Sequence, residues 1–303
     1  MRGAVVMGAS GFIGRALTAE LSAQGIPVLA VVRPNGGEIV HSSIRRVVLD
    51  LSRLRELPQR ADGEWDCFYH LAWAGTAGES RGQIDLQLRN VEYTVHAVHA
   101  AADMGCKTFV GAGSIMEKEA LASSEENGKR PGAGHAYASA KLAARLMSEA
   151  AAQERKLAHI WPILTNAYGE GESSPRFLNA TLRKVLRKEP LRFTKATQAY
   201  DFIHVCDVAR ALRLLGERGK PFCQYVVGSG QARPLRDYIL EMLALVAPHA
   251  PYSFGDVPFE GIELPLSAFD TAPLRRDTGF CPEIPFEQGV RRTMAWLERT
   301  DEV

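Results

Sequence analysis

The sequence predicts an α/β fold: a doubly wound parallel sheet with helices on both faces, and a smaller C-terminal part. Two observations predict it. Through the first 164 residues, short apolar runs alternate with longer stretches of helical period, the pattern left by right-handed βαβ crossovers. A glycine cluster, Gly8 to Gly14, falls between the first apolar run and the first helical stretch, where a doubly wound sheet makes its first turn.

The elements follow in order. Gly3–Met7 reads as a strand, and Phe12–Gln24 as a helix with Phe12, Ala16, Leu17 and Leu21 on one face. Pro27–Val32, entered from Gly25, Arg46–Leu49 and Asp66–Ala72 read as strands. Gln83–Asp103 is a long helix with Leu88, Val91, Val95 and Val98 at helical spacing; Thr108–Ala112 is a strand, Tyr137–Glu154 a helix and Ala158–Leu164 a strand. Further on, Gly169–Pro175 has loop composition, and Arg176–Lys188 is helical until Pro190 ends it. Phe202–Val205 is a short strand before a helix near Val208–Leu215, Gly216–Pro221 reads as a turn, and Tyr225–Val227 as a further strand. The prolines between Pro248 and Pro285 predict winding connections. Residues 1–164 therefore form the sheet-bearing part, 196–230 return to it, and 165–195 with 231–303 mainly build the second part.

Composition narrows the function. The chain has 303 residues, with 36 Lys and Arg against 35 Asp and Glu, a net charge of +1. Neither nucleic acid nor an anionic membrane is an expected partner. A hydrophobic fraction of 46% and a charged fraction of 23% fit a globular domain, and no apolar run reaches the roughly 18 residues of a spanning helix. Met1-Arg2 leads straight into the first strand, so no signal peptide is expected. Five dispersed cysteines, Cys67, Cys106, Cys206, Cys223 and Cys281, fit a reducing cytoplasm. They offer no zinc spacing, and His96 and His99 lack a third ligand. No metal is expected.

Gly8-Ala9-Ser10-Gly11-Phe12-Ile13-Gly14 is GxxGxxG, directly between a strand and a helix. Gly8 allows the tight turn, Gly11 lets the backbone approach a pyrophosphate, and Gly14 allows close helix–strand packing. The helix N-terminus then faces the phosphates with free N–H groups and the positive end of its dipole. The fold expected is of the Rossmann type, with ligand at the carboxyl ends of the strands.

At this loop the chain resembles the extended short-chain dehydrogenase/reductase family, the nucleotide-sugar epimerase/dehydratase/reductase type. That family carries TGxxGxxG here, with Met7 replacing the Thr in this chain. Asp66-Cys67-Phe68-Tyr69-His70-Leu71-Ala72 resembles its D-x-V-x-H-L-A strand. Tyr137-Ala138-Ser139-Ala140-Lys141 is its YxxxK, and Asp270 through Pro282 is similar to its C-terminal D…LG(W/F)…P region. The resemblance runs nearly end to end.

The strand expected to bind the adenosine ribose ends Val31-Val32-Arg33-Pro34, with no carboxylate. Arg33 can pair a 2′-phosphate bidentately, so NADP(H) is preferred, with NAD(H) as the alternative. The resemblance adds Ser10, Phe12, Ile13, Asp50, Leu51, Leu71, Ala72, Lys141 and Pro162 to the cofactor contacts. Tyr137 and Lys141 are one helical turn apart, and an ammonium nearby favours phenolate over a phenol of pKa near 10. In the family the Tyr moves the proton, the Lys holds the nicotinamide ribose, and a strand-end hydroxyl, here Ser114, holds the substrate oxygen. The dehydratases of the family follow that hydroxyl with Asp-Glu; Ile115 and Met116 cannot transfer protons, which argues against 4,6-dehydration. Glu117-Lys118-Glu119 replace the family's V-Y-G.

On the substrate side, Trp161-Pro162-Ile163-Leu164-Thr165-Asn166-Ala167-Tyr168-Gly169 resembles R-P-x-x-N-x-Y-G, which makes Asn166 a substrate contact. Gln198 through Val205 resembles Q-x-R-D-F-x-H-V, with Tyr200 in place of the Arg that grips the diphosphate. Arg176, Arg233 and Arg275 are the candidates to compensate. The expected activity is NADPH-dependent reduction of a keto-sugar, a 4-keto sugar carried on a nucleotide. The rivals are an epimerase on tightly held NAD⁺ and a non-catalytic NADP-binding regulator. The resemblance also implies a homodimer through the helices Gln83–Asp103 and Tyr137–Glu154.

Overall fold

The computed structural model describes residues 1–37, 44–125, 134–259 and 261–300. It begins with β1 (Ala4–Met7), α1 (Phe12–Ala23), β2 (Val28–Val32) and β3 (Ile44–Val48). The short α2 (Leu57–Arg60) precedes β4 (Cys67–His70), α3 (Ile84–Asp103), β5 (Thr108–Gly111) and a two-residue β6 (Gly113–Ser114). Next come α4 (Met116–Glu125), α5 (Gly134–Glu154), β7 (Ala158–Leu164), β8 (Asn166–Tyr168) and α6 (Phe177–Leu186). They are followed by β9 (Leu191–Phe193), β10 (Ala199–Tyr200), β11 (Phe202–His204), α7 (Val205–Arg218) and β12 (Cys223–Val227). The chain ends with β13 (Arg233–Pro234), α8 (Leu235–Val246), β14 (Tyr252–Phe254), α9 (Ala272–Thr278) and α10 (Phe286–Thr300).

The main sheet runs β12-β7-β5-β4-β1-β2-β3, with β6 beside the end of β7 and every pairing parallel. Strands β1, β2 and β4 are buried along their whole length, as a sheet covered on both faces requires, and so read as unbroken apolar runs. On one face Leu17 and Leu21 of α1 pack with Leu212 and Leu215 of α7. On the other, Val98 of α3 and Ala152 of α5 close over Phe68 and Phe109. From β1 the chain steps outward through β2 to β3, then returns to the far side of β1 as β4. That reversal leaves a crevice above the carboxyl ends of β1 and β4.

A separate core joins α6, α8 and α10 to the small strand pairs: Leu182, Leu191, Phe202, Ile239, Met242, Val290 and Leu297 are all buried in it. Helices α4, α8 and α10 lie where the sequence patterns assign no element. In α10 Phe286, Val290, Met294 and Leu297 recur at helical spacing against this core, with Gly289 and Thr293 buried beside them. The turn expected at Gly216–Pro221 begins instead at Gly219, because α7 continues to Arg218. Gly216 is there for packing: a Cβ on it would stand 2.1 Å from the Tyr69 hydroxyl.

His204 caps α7, its Nδ1 accepting the Cys206 N–H at 3.3 Å. Its Nε2 lies 2.8 Å from Glu170, which also meets Arg292 of α10 at 2.8 Å. Glu170 thus ties the loop after β8 to the cap of α7 and to the middle of α10. Burial pushes its carboxyl up, but His204, a backbone N–H and Arg292 outweigh that and carry it from its ordinary 4.5 to about 2. A lowered carboxyl pKa contributes stability that is complete above the unfolded value and lost as pH falls through the folded one. Glu170→Gln is therefore expected to flatten the decline of the urea midpoint between about pH 4.5 and pH 2. Parallel acid limbs for the two proteins would show that the contact contributes nothing.

Candidate functional site

The glycine loop folds as its residues require. Gly8 has φ +87°, and a Cβ there would lie 2.8 Å from the Ala72 nitrogen. A Cβ on Gly14 would stand 2.1 Å from the Gly8 carbonyl oxygen, so α1 packs against the turn itself. Gly11 is the N-cap of α1, whose first turn has neither a capping side chain nor an acid. Its N–H groups, near Ser10, Phe12 and Ile13, are left for an anion, so the loop fits a dinucleotide pyrophosphate.

Arg33 is exposed directly after β2. Asp50 accepts the Ser52 N–H at 3.0 Å and the Ser52 hydroxyl at 2.7 Å, which lower its pKa and start the turn containing Leu51. Leu71 and Ala72 follow β4, half-buried beside Gly8. Pro162 is buried in β7, between the residues that pair with β5 and those that pair with β6. No ladder bond on that side is lost to its missing N–H.

Ser114, Tyr137 and Lys141 come together at the ends of β6 and α5. Ser114 and Tyr137 line the same cleft, and the Ser114 side chain acts to lower the phenol's pKa. Lys141 is buried, donates to the Ala112 carbonyl at 2.7 Å and lies 3.7 Å from the centroid of the Trp73 ring. It is 5.9 Å from the centroid of the Tyr137 ring. Burial pulls Lys141 down to about 7. Burial also pushes Tyr137 up, opposed by Arg176, Ser114 and Arg81. The cations acting on the phenol are thus the two arginines; Arg81 sits 4.7 Å from its ring centroid. Spacing alone pointed to the lysine.

A cleft of about 400 Å³ opens from Ser114 and Tyr137 toward the C-terminal core. Asn166, Arg176 and Tyr200 line it, as do Phe177, Phe259 and Phe269. Of the described residues lining it, only Arg81 and Arg176 are cations. Arg176 pairs with Glu172 at 3.1 Å and keeps 40% of its side chain exposed. The Asn166 amide donates to the Asp201 carbonyl at 3.3 Å. Arg233 is outside the cleft, paired with Glu241 and packed 4.0 Å over the Tyr238 ring. Arg275 is exposed on α9, also away from it. Arg81, Trp73 and Glu119 escaped the sequence patterns: the first two come from the loop after β4, where no motif marks them. Glu119 borders the cleft, burial pushing its carboxyl up to about 7.

The profile described as the NAD dependent epimerase/dehydratase family matches residues 4–228. The chain belongs to that family. A CDP-abequose synthase of Salmonella muenchen is 22% identical over 298 residues, 97% of each chain. The solved structure of MoeE5 in complex with UDP-glucuronic acid and NAD is 25% identical, with a TM-score of 0.78 over 98% of this chain and 99% of that one. The UDP-glucose 4-epimerase of Thermotoga maritima, solved with UDP-glucose, shares the fold with a TM-score of 0.81 over 99% and 100% of the two chains, at 18% identity. This member of the epimerase/dehydratase family keeps the parallel sheet and flanking helices of those neighbours. It is an NAD(P)-dependent enzyme by family, and no described helix is long and apolar enough to cross a membrane.

Proposed function

We propose that this protein is an NADPH-dependent ketoreductase acting on a keto-sugar, a nucleotide-linked 4-keto sugar by class. The observation that carries the reading is the buried Tyr137 phenol, which lines the cleft with Ser114 and is pushed up by burial. A phenol kept protonated is poised to give its proton to a carbonyl oxygen. In this reading Gly8, Ser10, Gly11, Phe12, Ile13 and Gly14 hold the pyrophosphate. Arg33 takes the 2′-phosphate, Asp50 and Leu51 border the adenine, and Leu71, Ala72, Lys141 and Pro162 border the nicotinamide half. When bound, the nicotinamide supplies the hydride. Ser114 positions the substrate oxygen, Tyr137 protonates it, and Lys141 holds the ribose. Residues 1–164 and 196–230 serve the cofactor, and 165–195 with 231–303 mainly the substrate. The relatives' names, with CDP- and UDP-linked sugars, support the substrate class.

The solved neighbours include UDP-sugar 4-epimerases, the Thermotoga maritima one among them, and MoeE5 was solved with NAD, which favours a second reading, an epimerase on NAD⁺. NADPH consumed in proportion to added 4-keto nucleotide sugar supports reduction; NAD retained stoichiometrically through purification, with no net consumption, supports epimerisation.

Exposed Ile84 and Leu88 on α3 lie with exposed Leu146 and Met147 on α5, and the two helices pack side by side. We propose that this apolar face joins two copies of the chain.

Tyr137→Phe is expected to lower kcat by about 10²–10⁴-fold while NADPH affinity changes little; turnover surviving in that variant would sink the catalytic reading. Arg33→Ser is expected to weaken NADPH about 10–100-fold, the scale of a lost charge-assisted bidentate contact, and to leave NADH unchanged in calorimetry. Equal losses for both cofactors would reject the 2′-phosphate role. Light scattering should report a dimer, and Leu88→Glu combined with Leu146→Glu a monomer; a monomeric parent chain would remove the dimer proposal.

A further inference from the structure

Behind Ser114 the chain buries a carboxylate that the chemistry above does not use. Glu117, in the first turn of α4, is 2% exposed. Its Oε1 accepts the backbone N–H of Ser114 at 2.8 Å, and both its oxygens lie 3.1 Å from the Trp161 indole nitrogen, which donates to them. Arg145 Nε is 3.6 Å from Oε2. Trp161 is itself fully buried and stacked on His159, with 5.6 Å between ring centroids. Gly113 makes room for the pair: a Cβ there would stand 2.3 Å from Trp161 Nε1 and 2.7 Å from Glu117 Oε1. Both partners sit where this sequence leaves its family's pattern, Glu117 at the Val of V-Y-G and Trp161 at the Arg of R-P. Burial pushes the Glu117 carboxyl up, opposed by the Ser114 N–H, the Trp161 indole, Lys141 and Arg145, so its charge depends on those donors and cations.

We infer that Glu117 is a positioning residue of the catalytic set: gripped by the Trp161 indole, its carboxylate fixes the Ser114 backbone and is the anionic counterpart of the buried Lys141 ammonium. The inference deepens the ketoreductase reading and rests on it. Lys141 and Glu117 hold the same short segment: the ammonium donates to the Ala112 carbonyl at 2.7 Å, two residues before the Ser114 N–H that Glu117 accepts, and stands over the Trp73 ring. Burial lowers it to about 7; Glu117 opposes that and Arg176, from the loop before α6, adds to it. His70 on β4 is driven down to about 3 by burial and is uncharged at neutral pH. On the lysine's own helix, Tyr137 stays protonated, and Arg145, one turn on, shares Glu117. Without the Glu117 charge, burial and Arg176 act unopposed, and Lys141 gives up its proton at lower pH.

The test is Glu117→Gln in the full chain, with Lys141 followed by NMR of ¹³Cε-labelled lysine and assigned with Lys141→Met. The Lys141 midpoint is expected to fall by about one pH unit, a tenfold loss of proton affinity. The alkaline limb of kcat should move with it, while the KM for NADPH stays within about twofold. Trp161→Phe keeps a ring and removes the indole N–H; it should move the midpoint the same way by less, and it carries the test if the Gln variant does not fold. An unmoved midpoint in the folded variants overturns the inference, whatever happens to kcat or thermal stability, since a purely structural role leaves the titration in place. The NMR reading needs no turnover. A moved midpoint in a protein that reduces no keto-sugar upholds the counter-charge and sinks the ketoreductase reading; an unmoved midpoint in an active reductase does the reverse.

Discussion

Where β1 ends, Gly8 turns at φ +87° so close to the chain beyond β4 that no Cβ fits between it and Ala72. This contact couples the two strands at which the sheet order reverses. It sets α1 with its uncapped N-terminus over one side of the crevice, and sends the chain after β4 across the other. That chain carries Trp73, whose ring covers the Lys141 ammonium, and Arg81, whose guanidinium covers the Tyr137 ring. The uncapped N-terminus of α1 and the end of α5 that carries Tyr137 and Lys141 are thus placed by one close backbone approach. Larger side chains at Gly8 or Gly14 would separate them.

Burial shifts the two titrating groups of the site in opposite directions, each toward its neutral form. Lys141 falls to about 7 and Tyr137 rises. A simple lysine–phenolate pair at 5.9 Å does not describe this arrangement. The phenol keeps its proton, faces Ser114, and feels Arg176 and Arg81 from the substrate side. A group of this kind works as an acid toward an oxygen that is gaining charge, and the arginines would stabilise the phenolate left behind. That is the direction of proton flow which the proposed carbonyl reduction would use.

The sequence patterns located the sheet well because a strand buried on both faces has no polar positions to blur it. β7 falls at the predicted Ala158–Leu164, and β1, β4 and β5 within one or two residues of their expected ends. The patterns also brought out Ser114, Tyr137 and Lys141, which sit on two local motifs. They were silent on α8 and α10, whose buried faces meet the small strand pairs rather than the main sheet. They were equally silent on contacts that exist only after the chain closes. Glu117 meets Trp161 across 44 residues of sequence, and nothing local to either predicts the other. Arg233 shows the converse: it looked free by sequence, and the fold spends it on Glu241 and Tyr238.

The substrate end of the cleft poses a charge question that the fold answers in part. Tyr200 stands where the family pattern has an arginine, and its neighbours Phe177, Phe259 and Phe269 are aromatic. A diphosphate laid along this wall would meet rings, with no cation among those four. The positive charge is displaced toward the catalytic end, at Arg176 and Arg81. Arg176 is held by Glu172 through Nε at 3.1 Å with part of its guanidinium exposed, so it can turn to an anion without leaving its partner. The same cation lowers the Tyr137 phenol and the Lys141 ammonium. An anionic group bound at Arg176 would cancel part of that field, raising both pKa values together. Substrate charge and proton transfer would in this way be coupled through one guanidinium.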